Sequence, residues 1–158
     1  MSKIAILTDS SCDIPQELAE KYGIDIMGFH ILLDDEDIVE REKYTPEEFY
    51  DKMRAAKGIP STAAITPIQF CEKYCQYVDE GYTDVIHVPI NRSGSSTYNN
   101  AVMAQGMLRE ERPEHHLNIH LLTPTPIRWC SAGICARWPA SCRTARSSAT
   151  SSASLRPR

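Results

Sequence analysis

The first 122 residues contain no tryptophan, and the last 36 contain no lysine, aspartate or glutamate. Nowhere in the 158 residues is there an apolar stretch long enough to cross a bilayer, which takes about 20 residues. The start, MSKIAILTDSS, has one Lys and a short strand-like run in place of a secretory signal. A cytoplasmic protein with reduced thiols is therefore expected. The five histidines, His30, His87, His115, His116 and His120, form no H-x-x-H or H-E-x-x-H pattern. Cys130, Cys135 and Cys142 match no zinc or redox spacing. Cys71 and Cys75 lie four apart on one face of an expected helix, but no second ligand pair accompanies them. They read as small core residues, and no metal is expected. Also missing are the G-K-[ST] of a P-loop, the G-x-G-x-x-G of a dinucleotide fold, the G-x-S-x-G of a nucleophile elbow and any internal repeat.

What is present divides sharply at residue 122. Residues 1–122 carry 11 Lys+Arg against 21 Asp+Glu, a net charge of −10. Residues 123–158 carry six Arg, seven Ser, both tryptophans and three of the six cysteines, a net charge of +6. The whole-chain value of −4 averages two unlike segments. An acidic body without a basic stripe has nothing to meet nucleic-acid phosphates or an anionic membrane. Arg interleaved with Ser, Ala and Cys makes a poor nucleic-acid arm. Function is read from residues 1–122, which make one small domain or part of a larger one.

Within that segment, residues 3–8 (KIAILT) form an apolar run ending in polar residues, the pattern of a buried parallel strand. Asp13 is placed to cap a helix over 16–22, closed by Gly23. Residues 24–33 (IDIMGFHILL) read as one strand, followed by a surface turn at Asp34, Asp35, Glu36 and Asp37. Two capping boxes with Pro at the first helical position, Thr45-Pro46-Glu47-Glu48 and Thr66-Pro67-Ile68-Gln69, start helices that end before Gly58 and at Gly81. Residues 58–64 between them read as a loop. A strand at 84–90 has Pro89 at its end, where a missing N–H does no harm. A small-residue loop at 91–97, a helix at 98–109 and a strand at 117–122 follow. Strands alternating with helices predict an α/β domain with a mainly parallel sheet flanked by helices.

Ligands of such sheets bind outside the carboxyl ends of the strands. Three hydroxyl-rich segments are placed to converge there: Asp9-Ser10-Ser11, Ser61-Thr62, and the loop containing Ser93, Ser95 and Ser96. That loop offers backbone N–H groups and hydroxyls at a helix start, suited to a phosphate or carboxylate. In isolation it reads first as a strand-to-helix connection with a Ser cap. Asp9 reads first as an Asx turn and second as a phosphoryl-accepting or metal-binding carboxylate. Ser10, Ser11 and Ser95 lack a base, because His30 and His87 fall inside strand-like runs and read as core histidines. A phosphotransfer or hydrolytic enzyme using Asp9 and the Ser loop remains the rival reading. An interaction module with an Arg-rich arm is a third. Phe49, Phe70, Tyr74 and Tyr77 recur at helical spacing and are expected in the core, with lipid lining as the lesser reading.

Four segments in order resemble the DegV family: 8–15 (TDSSCDIP), 44–50 (YTPEEFY), 60–63 (PSTA) and 90–101 (INRSGSSTYNNA). The resemblance covers essentially all of residues 3–122. It implies a bacterial, non-enzymatic fatty-acid-binding protein of two α/β domains that hold one acyl chain in a tunnel between them. Some members present the chain to a separate fatty acid kinase. On that pattern Thr62 and Ser95, with Ser93 and Ser96 beside it, bind the carboxylate, and Ser10 and Ser11 support the pocket. The implied ligand is a long-chain fatty acid, with no cofactor. Two departures stand out. Arg92 and the run 93–96 replace part of the family's S-S-G-L-S-G-T, and Thr62-Ala63-Ala64 replaces T-S-Q.

The family continues after this point with an Asp-Ser pair, where the chain has Thr123-Pro124-Thr125-Pro126. Restoring one nucleotide before the Thr123 codon permits D-S-H-T-Y-S-M-V-F-G-W-Y-L-C, a plausible family continuation. Residues 123–158 are therefore expected to be a shifted reading frame, disordered, on a truncated domain with impaired lipid binding.

Overall fold

The apolar run at the start of the chain becomes β1 (Ile4–Asp9) in a computed structural model that describes residues 2–122. Three more strands, β2 (Ile24–Met27), β6 (Asp84–Val88) and β7 (Asn118–Leu121), join it in a wholly parallel sheet of order β2-β1-β6-β7. One face of this sheet presents Ala5, Leu7 and Val85 to two helices, α3 (Pro67–Asp79) and α4 (Thr97–Glu111). Phe70, Tyr74 and Tyr77 of α3 and Ala101, Ala104 and Leu108 of α4 are buried against it and make the main core. Small residues on α4 let the helix lie close to the sheet while the aromatics of α3 fill the volume.

The chain steps from β1 to β2 in one direction and from β6 to β7 in the other. Right-handed crossovers therefore place α1 (Gln16–Tyr22) on the face opposite α4. That face carries Ile4, Ile6, Ile24, Ile26, Ile86 and Val88, none fully buried, with Ile4 54% exposed. A parallel sheet apolar on both faces normally has both covered. Among the described residues only the seven-residue α1, packed chiefly on β2, lies on this side.

Residues 24–33, expected as one strand, form two. β2 ends at Met27, and β3 (His30–Leu33) belongs to a second, antiparallel sheet of order β4-β3-β5, with β4 at Glu36–Val39 and β5 at Ser61–Ala63. The corner falls at Gly28, where a Cβ would lie 2.5 Å from the Glu40 carbonyl oxygen and 2.7 Å from Val39 Cγ1. An apolar run on both sides of the glycine hides the break from any periodicity. Glu36 and Asp37 are strand, not turn; the chain reverses at Asp34 (φ +53) and Asp35 alone. Residues 61–63 are likewise an edge strand inside the expected loop. All three side chains are exposed, so backbone pairing with β3 and no apolar pattern makes them a strand. Ile31, Leu33 and Ile38 of this small sheet pack on α2 (Pro46–Ala55), through Phe49 with Tyr44 and Ala56 beside it, as a second core.

Both capping boxes form as read, Thr45 with Glu48 and Thr66 with Gln69. Asp13 does not cap α1. It sits at φ +52, closing a single 3-10 turn over Ser10–Cys12, and Pro15 occupies the N-cap without a side-chain bond. Gly23 ends α1 in the left-handed conformation, as expected. The tail at 123–158, with its expected disorder and three cysteines, lies outside the described residues.

Candidate functional site

Strand order reverses between β1 and β6: β2 lies beyond β1 on one side and β7 beyond β6 on the other. At such a switch point the loops leaving the two strands diverge and leave a crevice at the carboxyl edge. Two of the three hydroxyl segments leave the sheet there, Asp9-Ser10-Ser11 from β1 and residues 89–96 from β6.

Asp9 fastens this edge. Its carboxylate accepts Ile90 N–H at 2.5 Å through one oxygen, and Ser11 N–H at 3.2 Å and the Ser11 hydroxyl through the other. The residue is 1% exposed. Such a carboxylate is an Asx turn that also ties the loop after β1 to the loop after β6, with both oxygens engaged. Ser10 is buried and points inward. Its hydroxyl accepts Phe29 N–H at 3.0 Å and donates to the Glu40 carboxylate, which locks the β2-to-β3 corner. Ser11 is exposed and leans on Asp9.

In the second loop, Asn91 accepts Ser93 N–H at 2.9 Å, and half-buried Ser95 accepts Thr97 N–H at 3.2 Å while sharing a 2.8 Å hydroxyl pair with Thr97. Ser95, not Ser96, thus makes the side-chain bond at the start of α4. Among the described residues the hydroxyls of Ser93 and Ser96, both exposed, make no hydrogen bond. Arg92 beside them is exposed.

Thr62 sits on β5 as the register partner of Ile31. Its side chain therefore leaves the small sheet on the same face as Ile31 and Ile38. The segment after it is tied to α4, where Asn100 Nδ2 donates to the Ile65 carbonyl at 2.8 Å. Through this bond the helix that follows the Ser loop also positions the strand bearing Thr62. Asn100 carried no sign of this role in the sequence, since its partner is 35 residues away.

A cavity of about 730 Å³ lies elsewhere. It is an open groove floored by Ile31, Ile38, Tyr44 and Phe49, with Arg41 and Lys43 on its rim, and none of the predicted hydroxyl residues lines it. Arg41 holds φ +71 and donates to the carbonyls of Ile14 at 2.6 Å and Ser10 at 3.3 Å, bracing the loop that follows β1. Glu36 of β4 pairs with Lys43 and, at 2.5 Å, with Lys52 of α2. Those two ammonium groups and the Tyr44 hydroxyl hold its carboxyl down to about 2.

The histidines divide. His30, read as a core residue, is only half-buried; it pairs with Asp37 at 3.0 Å and accepts from the Gln69 amide at 2.9 Å. His87 is fully buried, with Nδ1 2.7 Å from the Tyr74 hydroxyl and the Phe70 ring 4.9 Å away. Its Nε2 has no partner among the described residues. Burial holds the imidazole neutral, with its pKa depressed to about 4. Neither ring hydrogen-bonds a serine, so His30 and His87 form no serine–histidine pair among the described residues.

The profile of the DegV family, described as uncharacterised proteins, matches residues 3–122. The chain belongs to the DegV family. A DegV domain-containing protein of Clostridium perfringens is 37% identical over 112 residues, 70% of this chain and 39% of its own. A solved DegV lipid-binding protein from Thermotoga maritima has a TM-score of 0.63 at 29% identity, covering 76% of this chain and 41% of its own. A stearic-acid-binding protein from Eubacterium ventriosum has a TM-score of 0.67 at 26% identity, over 77% and 41%. This DegV chain thus spans about two fifths of the length of those relatives. The DegV match stops at Leu122, the residue at which the charge balance changes.

Proposed function

We propose that this chain carries the carboxylate-binding half of a cytoplasmic fatty-acid site and works as a carrier, not a catalyst. The observation that carries the reading is the Ser loop at the β1/β6 switch point. Ser93 and Ser96 keep their hydroxyls free of other described residues, and Ser95 sits over the first turn of α4. Thr62, tethered toward the same helix through Ile65 and Asn100, supplies the fourth hydroxyl. Hydroxyl and N–H donors at a helix start satisfy a carboxylate without a full salt bridge. Ser10 and Ser11 support the site from behind, Ser10 by fixing the corner and Ser11 through Asp9. The relatives named as lipid-binding and stearic-acid-binding support the ligand class. As a carrier, the protein presents the acyl carboxylate to a fatty acid kinase. Asp9 gives an enzymatic reading no support, because its two oxygens are spent on Ile90 and Ser11.

Half a site binds weakly. Each methylene left in water forgoes about 0.8 kcal/mol, so about eight exposed methylenes forgo roughly 6 kcal/mol, about four powers of ten in Kd. NMR titration of the whole chain with octanoate tolerates such affinities. The expected result is movement of the Ser93, Ser95, Ser96 and Thr62 amides, abolished by the double variant Thr62→Ala, Ser95→Ala. Shifts confined to the Tyr44 and Phe49 groove would overturn the site. Stoichiometric fatty acid in the purified chain would overturn its incompleteness, and stabilisation by phosphate with no effect of lipid would favour an enzyme.

A further inference from the structure

Three soft or anionic side chains that the fatty-acid reading leaves unused meet where the end of α4 crosses α3. Cys71 and Cys75, one turn apart on α3, both direct their sulfurs to one oxygen of Glu111, the last residue of α4, at 3.7 and 3.6 Å. The three ligand atoms lie within 4.8 Å of one another. Cysteines four apart are commonplace on a helix; a carboxylate brought to both from 36 residues further along the chain is a feature of the tertiary packing.

We infer that Cys71, Cys75 and Glu111 form a binding site for a thiophilic divalent cation of the zinc class. The geometry is the argument. In a tetrahedral site with metal–sulfur bonds of about 2.3 Å and a metal–oxygen bond of about 2.0 Å, each sulfur-to-oxygen edge is about 3.5 Å. The two edges here, 3.7 and 3.6 Å, already have that length. Two thiolates and one carboxylate suit a borderline-soft ion and disfavour magnesium or calcium. Cys71 is buried at 2% exposure, Cys75 is half-buried and Glu111 is exposed. An ion therefore has a route in from the Glu111 side, and solvent can supply the fourth ligand there.

Binding replaces two S–H bonds by two metal–sulfur bonds, and both protons pass to water. Two thiolates, a carboxylate and a dication leave one negative charge. Burial raises the Cys75 thiol; the nearby Arg112 guanidinium opposes that only weakly, and Asp79 shares the guanidinium at 3.3 Å. Without an ion, burial keeps the Cys71 thiol protonated, its pKa pushed up to about 12. The bound ion would cross-link α3, which follows the strand of Thr62, to α4, which follows the Ser loop.

The test is a titration of the full chain with Cd²⁺, with Cys12, Cys130, Cys135 and Cys142 replaced by serine so that only this pair of thiols remains. The expected result is a thiolate-to-cadmium charge-transfer band saturating at one equivalent, with a rise in Tm. Cys75→Ser should abolish the band, and Glu111→Gln, at an exposed position that leaves the fold intact, should weaken binding roughly tenfold or more. No band at one equivalent, a band that survives Cys75→Ser, or equal affinity in Glu111→Gln would each overturn the three-ligand site.

Discussion

His87 makes the stability of this fold depend on pH in the weakly acidic range. Folding buries the imidazole beneath Phe70 and against Tyr74, and its pKa falls from 6.5 to about 4. Below 6.5 the unfolded chain takes up a proton that the folded chain refuses. Stability therefore falls with pH from about 6.5 until the buried ring itself protonates near 4. At 1.36 kcal/mol per pH unit the gap amounts to about 3 kcal/mol, of which about 2 kcal/mol disappears between roughly pH 7 and roughly pH 5. The carboxyls of Glu36, Glu48 and Asp84 are held low by their partners and titrate below this window. Urea unfolding followed by circular dichroism at the two pH values should show that loss in the wild type. His87→Leu should shrink that loss by about 2 kcal/mol, whatever the variant's absolute stability, since an apolar side chain of similar size does not titrate. An equal loss in wild type and variant would refute the reasoning, and so would a wild type that is flat across the window.

Asp9→Ala strands three donors at the carboxyl edge of the parallel sheet. It should cost about 3 kcal/mol in a denaturant midpoint, whereas a purely catalytic carboxylate at that position would leave stability unchanged. Gly28→Ala drives a Cβ into the Glu40 carbonyl and Val39. It should cost on the order of 2 kcal/mol and loosen the small sheet, read as faster amide exchange in β3 and β4; unaltered exchange would contradict the corner's role. The apolar face holding Ile4, Ile6 and Ile86 has only α1 on its side among the described residues, so sedimentation velocity should show self-association. The pair Ile4→Lys and Ile86→Thr should suppress it, and association undiminished in the pair would place the sticky surface elsewhere. For the shifted-frame proposal, sequencing across the codons for Leu122 and Thr123 should reveal one missing base; an intact frame would make the Arg-rich tail real protein.

Much of this architecture was legible in consecutive residues. The capping boxes at Thr45 and Thr66, the glycine stop at Gly23, the β1 run and the small-residue loop before α4 are local devices, whose free energy comes from neighbours within a turn or two. The change of composition at residue 122 needed no structure at all. What the sequence could not express are pairings between distant segments. Ser61–Ala63 became a strand because β3 offered a free edge, not because of any pattern of its own. The run at 24–33 broke in two because Glu40 and Val39 crowd Gly28. Ser10 turned inward to satisfy Phe29 and Glu40, while the hydroxyls of Ser93 and Ser96 found no partner among the described residues, although all three look alike as hydroxyls in loops. Glu111 reached Cys71 and Cys75 only through the packing of α4 beside α3. Local signals settle where helices and strands can begin and end; burial and close approach between remote segments decide which polar groups are spent inside and which remain for a ligand.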